Sequence, residues 1–194
     1  MLRLVVGLGN PGSRYRNTRH NIGFDWVDRV ADRLGARWRV QRKYQAEMAE
    51  WQVDGQPLWA MKPQTYMNRS GHSAAPFARA KGIAPEEILV VHDELDLDPG
   101  VARLKAGGGH GGHNGLRDLT EQLGSKAFLR LRLGIGHPGS SAEVTPYVLG
   151  RPAPGERQRM QSAMDSAYEV LPDLVAGRWQ QALNRLHAPA SSGS

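Results

Sequence analysis

The sequence predicts an α/β domain with helices on both sides of a sheet. Three observations lead there. Leu2–Gly7 and Ile88–Val91 are short, mostly apolar runs of the kind that form strands buried on both faces. Between Asn21 and Gly35 the residues Gly23, Trp26, Val27, Val30, Ala31 and Leu34 recur at helical spacing. Segments of these two kinds alternate along the chain, with neither an internal repeat nor a linker.

Taken in order, Leu2–Gly7 runs into a Gly/Pro turn. A helix then starts near Asn21, a good N-cap, and stops at Gly35. Asp54-Gly55 lies between two β-leaning segments, 47–53 and 57–61, and reads as a hairpin turn. A helix is expected over Met67–Lys81, with Pro76 limiting its regularity. Ile88–Val91 reads as a central strand ending at His92-Asp93-Glu94. Residues 101–105 suggest another strand, followed by the glycine-rich stretch Gly107–Gly115 and a helix over 116–123. Leu129–Ile135 alternates Leu and Arg, a strand with one polar face. Pro138–Thr145 reads as a loop of small residues. From Pro154 the pattern is helical, broken near Pro172 and Gly177.

The length, 194 residues, favours one domain, taken as 1–187, with 188–194 as a frayed, disordered tail. Composition is that of an ordinary globular chain. The absence of cysteine removes disulfides, thiolate zinc sites and a cysteine nucleophile together. The first apolar run is too short for a signal peptide, and no stretch approaches transmembrane length, so a cytoplasmic protein is the expectation. A formal charge of +6 suits a polyanionic partner such as nucleic acid, and equally suits solubility alone.

Three candidate sites sit at strand ends, where ligands gather in α/β sheets: Asn10, His92-Asp93, and the glycine stretch with its flanks. Gly7-Leu8-Gly9-Asn10-Pro11-Gly12 fits a dinucleotide fingerprint only weakly, because Pro11 removes an N–H and no helix opens after Gly12. It fits a type II turn as well. Taken singly, His20, Asp93, Asn68 and Asn114 each have a structural reading as satisfied polar groups or caps. A zinc hydrolase would need clustered ligands, and His110-x-x-His113 lies in glycine-rich loop with no nearby acid. A serine hydrolase would want Gly-x-Ser-x-Gly, which does not occur.

Together the motifs are more specific. Asn10-Pro11-Gly12 with Thr18-Arg19-His20-Asn21, Thr65-Tyr66-Met67-Asn68-Arg69-Ser70-Gly71, and His92-Asp93-Glu94-Leu95-Asp96 stand in order. So do Gly107-Gly108-Gly109-His110-Gly111-Gly112-His113-Asn114-Gly115-Leu116, Arg132–Pro138 and Tyr147-Val148-Leu149-Gly150. This set resembles the bacterial peptidyl-tRNA hydrolase family over nearly the whole chain. The resemblance implies a single three-layer α/β/α domain around a twisted mixed β-sheet. It implies hydrolysis of the ester between a peptide and the 3′-terminal ribose of tRNA, with no cofactor and no metal. The catalytic residues it implies are His20, Asp93, Asn10 and Asn114. Substrate binding falls on Tyr15, Tyr66, Met67, Asn68, His113 and Asn114, and tRNA phosphate contact on Lys105 and Arg132. The implied partner is peptidyl-tRNA, met at its acceptor stem and 3′ CCA end, by a monomer with no obligatory protein partner and no membrane. One departure is visible: a loop that often carries lysines in the family reads Ser140-Ser141-Ala142-Glu143 here.

These residue types suit the chemistry. An imidazole with an ordinary pKa near 6.5 is a competent base at neutral pH, and a carboxylate on its other nitrogen fixes the tautomer. An asparagine amide, Asn10 or Asn114, would offer an oxyanion a donor without a perturbing charge. Asn68 and Asn114 would read a peptide backbone with both donors and acceptors. Arg103 and Arg130 are further candidates for the basic patch, on whichever face the strand alternation puts them. The rival reading is an RNA-binding protein on the same scaffold that does not hydrolyse.

Overall fold

The computed structural model describes residues 1–188. The expected tail therefore lies, apart from Ala188, outside the described residues.

Seven strands form one mixed sheet: β1 (Leu4–Gly7), β2 (Arg39–Gln41), β3 (Ala46–Val53), β4 (Gln56–Pro63), β5 (Ile88–Glu94), β6 (Ala102–Ala106) and β7 (Leu129–Gly134), in the order β2-β3-β4-β1-β5-β7-β6. β1 pairs in parallel with β4 and β5, and β5 with β7. The outer pairs β2–β3, β3–β4 and β6–β7 are antiparallel. The helices are α1 (Ile22–Leu34), α2 (Ser70–Lys81), α3 (Asn114–Leu123), α4 (Val144–Val148), α5 (Pro154–Glu169), α6 (Leu171–Val175) and α7 (Trp179–His187).

The two sheet faces have separate cores, which makes the domain three-layered. Val5, Leu89, Val91, Leu131 and Leu133 pack with side chains from α1, α5, α6 and α7. Leu4, Val6, Ile88 and Val90 pack on the other face with side chains from α2 and α3. Alternate residues of β1 and β5 thus serve both cores, which is why these strands read as continuous apolar runs. Each fully buried aliphatic side chain contributes roughly 1.5–3 kcal/mol of transfer free energy.

Two close approaches position the end of the sheet that carries His92 and Asp93. A Cβ on Gly23 would stand 2.4 Å from the Val91 carbonyl oxygen, and one on Gly7 would stand 2.5 Å from the carbonyl of Gly23. Helix α1 therefore rests directly on the backbone of β1 and β5, and residues 19–21, one turn before it, are held over the ends of those strands. On the opposite face a Cβ on Gly71 would stand 2.4 Å from the carbonyl of Asp118, which brings α2 against α3.

Several local expectations need correction. The helix expected over 67–81 begins with a separate 3-10 turn, Met67–Arg69, and α2 then continues through Pro76. His92, Asp93 and Glu94 lie within β5 rather than past its end. The loop expected over 138–145 contains a 3-10 turn, Ser141–Glu143, and the start of α4. β2, three residues long and polar, carried no periodic signal. The hairpin turn holds: Asp54 and Gly55 both have positive φ, 48° and 77°, as a type I′ turn requires.

Candidate active site

Asp93, from β5, is buried and gripped from two sides. His20 Nδ1 lies 2.7 Å from one carboxylate oxygen and His113 Nε2 lies 2.8 Å from the other. The His113 tautomer follows from its second nitrogen. Nδ1 accepts the N–H groups of Gly115 and Leu116 at 3.1 and 3.3 Å, capping α3, so the ring hydrogen sits on Nε2 and is donated to Asp93. This corrects the capping role considered for Asn114, which is the first residue of α3. His20, in a 3-10 turn before α1, donates through Nδ1 and leaves the Nε2 lone pair as its basic site.

Burial works against charge on His20, but Asp93 outweighs it by charge and by hydrogen bond, so its pKa is raised above 6.5. Burial alone would also push Asp93 up. The flanking His20 and His113, by charge and by hydrogen bond, instead hold it well below the usual carboxylate range. The His92 ring meets that of His113 edge to face, centres 5.2 Å apart, without bonding the Asp93 carboxylate. It donates Nδ1–H to the Asp93 carbonyl at 2.8 Å, and its buried Nε2 has no partner among the described residues. Burial first, then the neighbouring His113, lower its pKa to about 3, so it stays neutral.

Asn10 is held by Asn21. The Asn21 side chain accepts the Asn10 N–H at 2.8 Å and donates to the Asn10 carbonyl at 2.9 Å. Asn21 makes no side-chain cap on α1, which corrects the sequence expectation. Asn10 Oδ1 accepts the Met67 N–H at 2.7 Å, so its NH₂ must point the other way. Asn10, His20, Met67, Asn68, Asp93, His113 and Asn114 line one cavity of about 730 Å³. Asn68 and Asn114 are exposed residues at its mouth, and Asn114 Oδ1 accepts from Arg117 at 3.3 Å. Tyr15 and Tyr66 do not line this cavity. They meet edge to face, ring centres 6.1 Å apart, with Tyr66 55% exposed.

Lys105 and Arg132 also line the cavity. Direct pairing of Arg103 with Arg132 and of Lys105 with Arg130 puts all four cations on one face of β6–β7. Arg130 does not join the exposed patch. It is buried, and its guanidinium donates to the carbonyls of Gly109 at 2.8 Å, Gly108 and Lys126, stapling the glycine loop. Gly107, Gly108, Gly111 and Gly112 all have positive φ in this loop, which other residues would resist. Arg19, beside His20, donates to the Tyr147 carbonyl at 3.0 Å and to Glu156, and its guanidinium lies 4.0 Å from the Tyr147 ring centre. That ties the His20 segment to α4, whose Val144, Thr145 and Val148 also line the cavity.

His20, Asp93 and His113 each offer a ligand atom, all within 4.8 Å of one another, the separation a metal ion would need. An ion there would require both imidazole hydrogens to leave. The bonds from Gly115 and Leu116 keep the His113 hydrogen on Nε2, so the donor set fits a proton-holding network better than a metal centre. The bond from His113 to Asp93 spans 20 positions, that from Asn21 to Asn10 spans 11 and that from Arg130 to Gly109 spans 21, so local patterns in the sequence signalled none of them. A clue was available for Arg130, since an alternating Leu-Arg strand must turn both arginines to one face.

Comparison with known proteins follows this geometry. Residues 4–193 match the family model described as peptidyl-tRNA hydrolase. A peptidyl-tRNA hydrolase of Stenotrophomonas maltophilia is 52% identical over 188 residues, covering 97% of this chain and 98% of that protein. One from Pseudomonas fluorescens is 51% identical, covering 96% and 97%. The crystal structure of peptidyl-tRNA hydrolase from Acinetobacter baumannii superposes with a TM-score of 0.94 at 48% identity, over 96% of this chain and 95% of that one. No helix among the described residues is long and apolar enough to cross a membrane.

Proposed function

The chain belongs to the peptidyl-tRNA hydrolase family, and we propose that it hydrolyses the ester joining a peptide to the 3′-terminal ribose of tRNA, with His20 as general base and no metal. The observation that carries this reading is the pair of hydrogen bonds that commits His20 Nδ1 and His113 Nε2 to Asp93, leaving His20 Nε2 to take a proton from water. The activated water attacks the ester carbonyl, and Asp93 stabilises the imidazolium that forms. The proton then passes from His20 Nε2 to the departing ribose oxygen. Base catalysis of this kind is worth about 10²–10⁴ in rate.

Asn10 suits the oxyanion, because its amide is oriented before substrate arrives. Asn68 and Asn114, exposed at the mouth, suit the amide groups of a peptide. A free amino acid would leave such groups unpaired, at about 1–3 kcal/mol each where they become buried. Lys105 and Arg132 suit phosphates of the acceptor end. All the groups invoked come from one chain, so the reading needs no partner subunit.

The test uses two labelled substrates, N-acetyl-aminoacyl-tRNA and the same aminoacyl-tRNA unblocked, with EDTA present. Release from the blocked substrate alone, lost by a factor of about 10²–10⁴ in kcat in His20→Ala with tRNA affinity nearly intact, is the expected result. No release from either, with tRNA still bound, would leave an RNA-binding protein without hydrolysis. Loss of activity in EDTA, restored by a divalent metal, would reject the metal-free step.

A further inference from the structure

The opposite edge of the sheet carries a second concentration of positive charge. Arg37, Arg39, Arg42 and Lys43 stand within seven residues, with no acidic residue between Gly35 and Ala46. All four are exposed. Among the described residues none of their side chains makes a hydrogen bond to a protein group or an ion pair; Lys43 only approaches the Tyr44 ring, 5.5 Å from its centre. The nearest acid in the strand that follows, Glu47, is already paired with Lys62 at 3.0 Å. Val40, between them on the open edge, is 70% exposed. Four like charges gathered on one edge with nothing opposite them repel one another, and the fold offers no compensation.

Topology places this edge at the catalytic end. β2 is antiparallel to β3, β3 is antiparallel to β4, and β4 is parallel to β1. The C-terminal end of β2 therefore lies at the same end of the sheet as Gly7 and Glu94. The turn that follows, Arg42–Tyr44, is fastened there: the Gln45 carbonyl accepts the Gln64 N–H at 2.8 Å, just past the end of β4, and the Ser73 hydroxyl at 3.0 Å. With three strand spacings from β1 to β2, this basic turn is about 14 Å from β1, the strand that leads into Asn10. Six spacings, about 29 Å, separate it from β6 and Lys105. The α4 side of the cavity contributes no cation, since no Lys or Arg occurs between Arg132 and Arg151.

We propose that Arg37, Arg39, Arg42 and Lys43 form a second phosphate-contacting surface, which holds the body of the substrate's tRNA while Lys105 and Arg132 hold it on the other side of the cavity. This rests on the hydrolase reading for the identity of the RNA. Open guanidinium and ammonium groups spread over two sheet edges match the phosphates of a folded RNA lying across the sheet end, and a short 3′ fragment does not reach both. The arginines, as planar bidentate donors, suit phosphate oxygens.

Three double variants test it: Arg42→Gln with Lys43→Gln, Arg37→Gln with Arg39→Gln, and a control of equal charge change at the opposite end of the sheet, Arg3→Gln with Lys81→Gln. Affinity for uncharged tRNA is measured from 50 to 300 mM salt, and KM is measured for N-acetyl-aminoacyl-tRNA and for the same N-acetyl-aminoacyl group on a CCA trinucleotide. The Arg42/Lys43 pair is expected to raise KM for the tRNA substrate about 5- to 20-fold at moderate salt and to reduce the slope of log affinity against log salt by about 1–2. Cleavage of the trinucleotide substrate stays unchanged, and the control pair does neither. A salt slope equal to the control's, or an equal loss on the trinucleotide, overturns the proposal. So does weakened binding to phosphatidylglycerol vesicles with tRNA affinity unchanged, which would assign the edge to a membrane surface. If the unmodified protein cleaves neither substrate, the hydrolase reading fails, and the tRNA salt slopes still decide whether this edge contacts RNA.

Discussion

His113 gives its Nε2–H to one oxygen of Asp93 at 2.8 Å, so the carboxylate that orients His20 is itself held from the far side. The donor is fixed because α3 takes the other nitrogen of the ring. Removing it in His113→Ala leaves a buried carboxylate oxygen unpaired, a loss of about 1–3 kcal/mol, and a fall in kcat of roughly 10- to 100-fold is expected. The pH profile adds a readout that loss of packing would not move. A base must be neutral to work, so with His20 as the proposed base activity is expected to fall as pH drops through its pKa, which lies above 6.5 because Asp93 outweighs burial. Without His113 the carboxylate charge bears on His20 alone, and the acid limb of kcat/KM should move to higher pH. Asp93→Asn should move it to lower pH and lower kcat. An acid limb that stays in place in both variants would mean that another group titrates.

Asn10 depends on Asn21, which bonds both its main-chain N–H and its carbonyl. Both residues are buried, so Asn21→Ala leaves two polar groups of the Asn10 backbone without partners. A destabilisation of about 2–4 kcal/mol in urea unfolding is expected, with kcat reduced in the surviving folded enzyme because the Asn10 amide loses its orientation. A stable variant with full kcat would remove Asn10 from transition-state stabilisation.

The same residue shows where reading the sequence stopped. Asn21 stands immediately before a helix, where asparagine is a favoured cap, and local preference gave no hint of the longer-range bonds to Asn10. Signals that are local were legible: the alternating use of Leu4–Gly7 and Ile88–Val91 by two cores, the left-handed Gly35 that ends α1, and the Asp54-Gly55 turn. The combined motifs singled out the candidate residues that the fold brings to one cavity. The pairing of His20 with Asp93 was implied by the resemblance, but the bond from His113 was not legible, because no local signal joins the glycine loop to the end of β5. Periodicity also cannot separate a cavity-lining cation from a stapling one: Arg132 lines the cavity 3.8 Å from a Glu94 oxygen, and Arg130 is taken up by the carbonyls of the glycine loop.

That difference separates two variants. Lys105→Ala with Arg132→Ala removes cavity-lining cations and should raise KM while flattening the salt dependence of tRNA binding, by about 0.7–0.9 per lost phosphate contact. Arg130→Ala instead frees the carbonyls of Gly108, Gly109 and Lys126. It should lower thermal stability and kcat, since the loop carrying His113 loses its staple, and leave the salt slope near that of the unmodified protein. A flattened slope in Arg130→Ala would show that it reaches phosphate.

Asp25 carries a cost that the active site does not need. It sits in the first turn of α1, and burial pushes its pKa up to about 6; Arg157, Lys62 and Arg29 oppose this and Asp28 adds to it. The folded state therefore holds this proton more tightly than the unfolded chain, where the group titrates near 3.8. Stability lost to its ionisation accumulates as pH rises from about 4 through 6 and is fully lost above that. Asn in place of Asp25 removes the charge at similar size. At pH 7 the gain should be on the order of 1–2 kcal/mol, less than the full shift implies, because the helix N-terminus favours an anion there. At pH 4 little gain is expected, since the carboxyl is already mostly protonated in the folded protein. Urea unfolding of Asp25→Asn at the two pH values decides the matter: an equal gain at both would assign the effect to packing, and no gain at pH 7 would mean that Arg157 and Lys62 already compensate the buried charge.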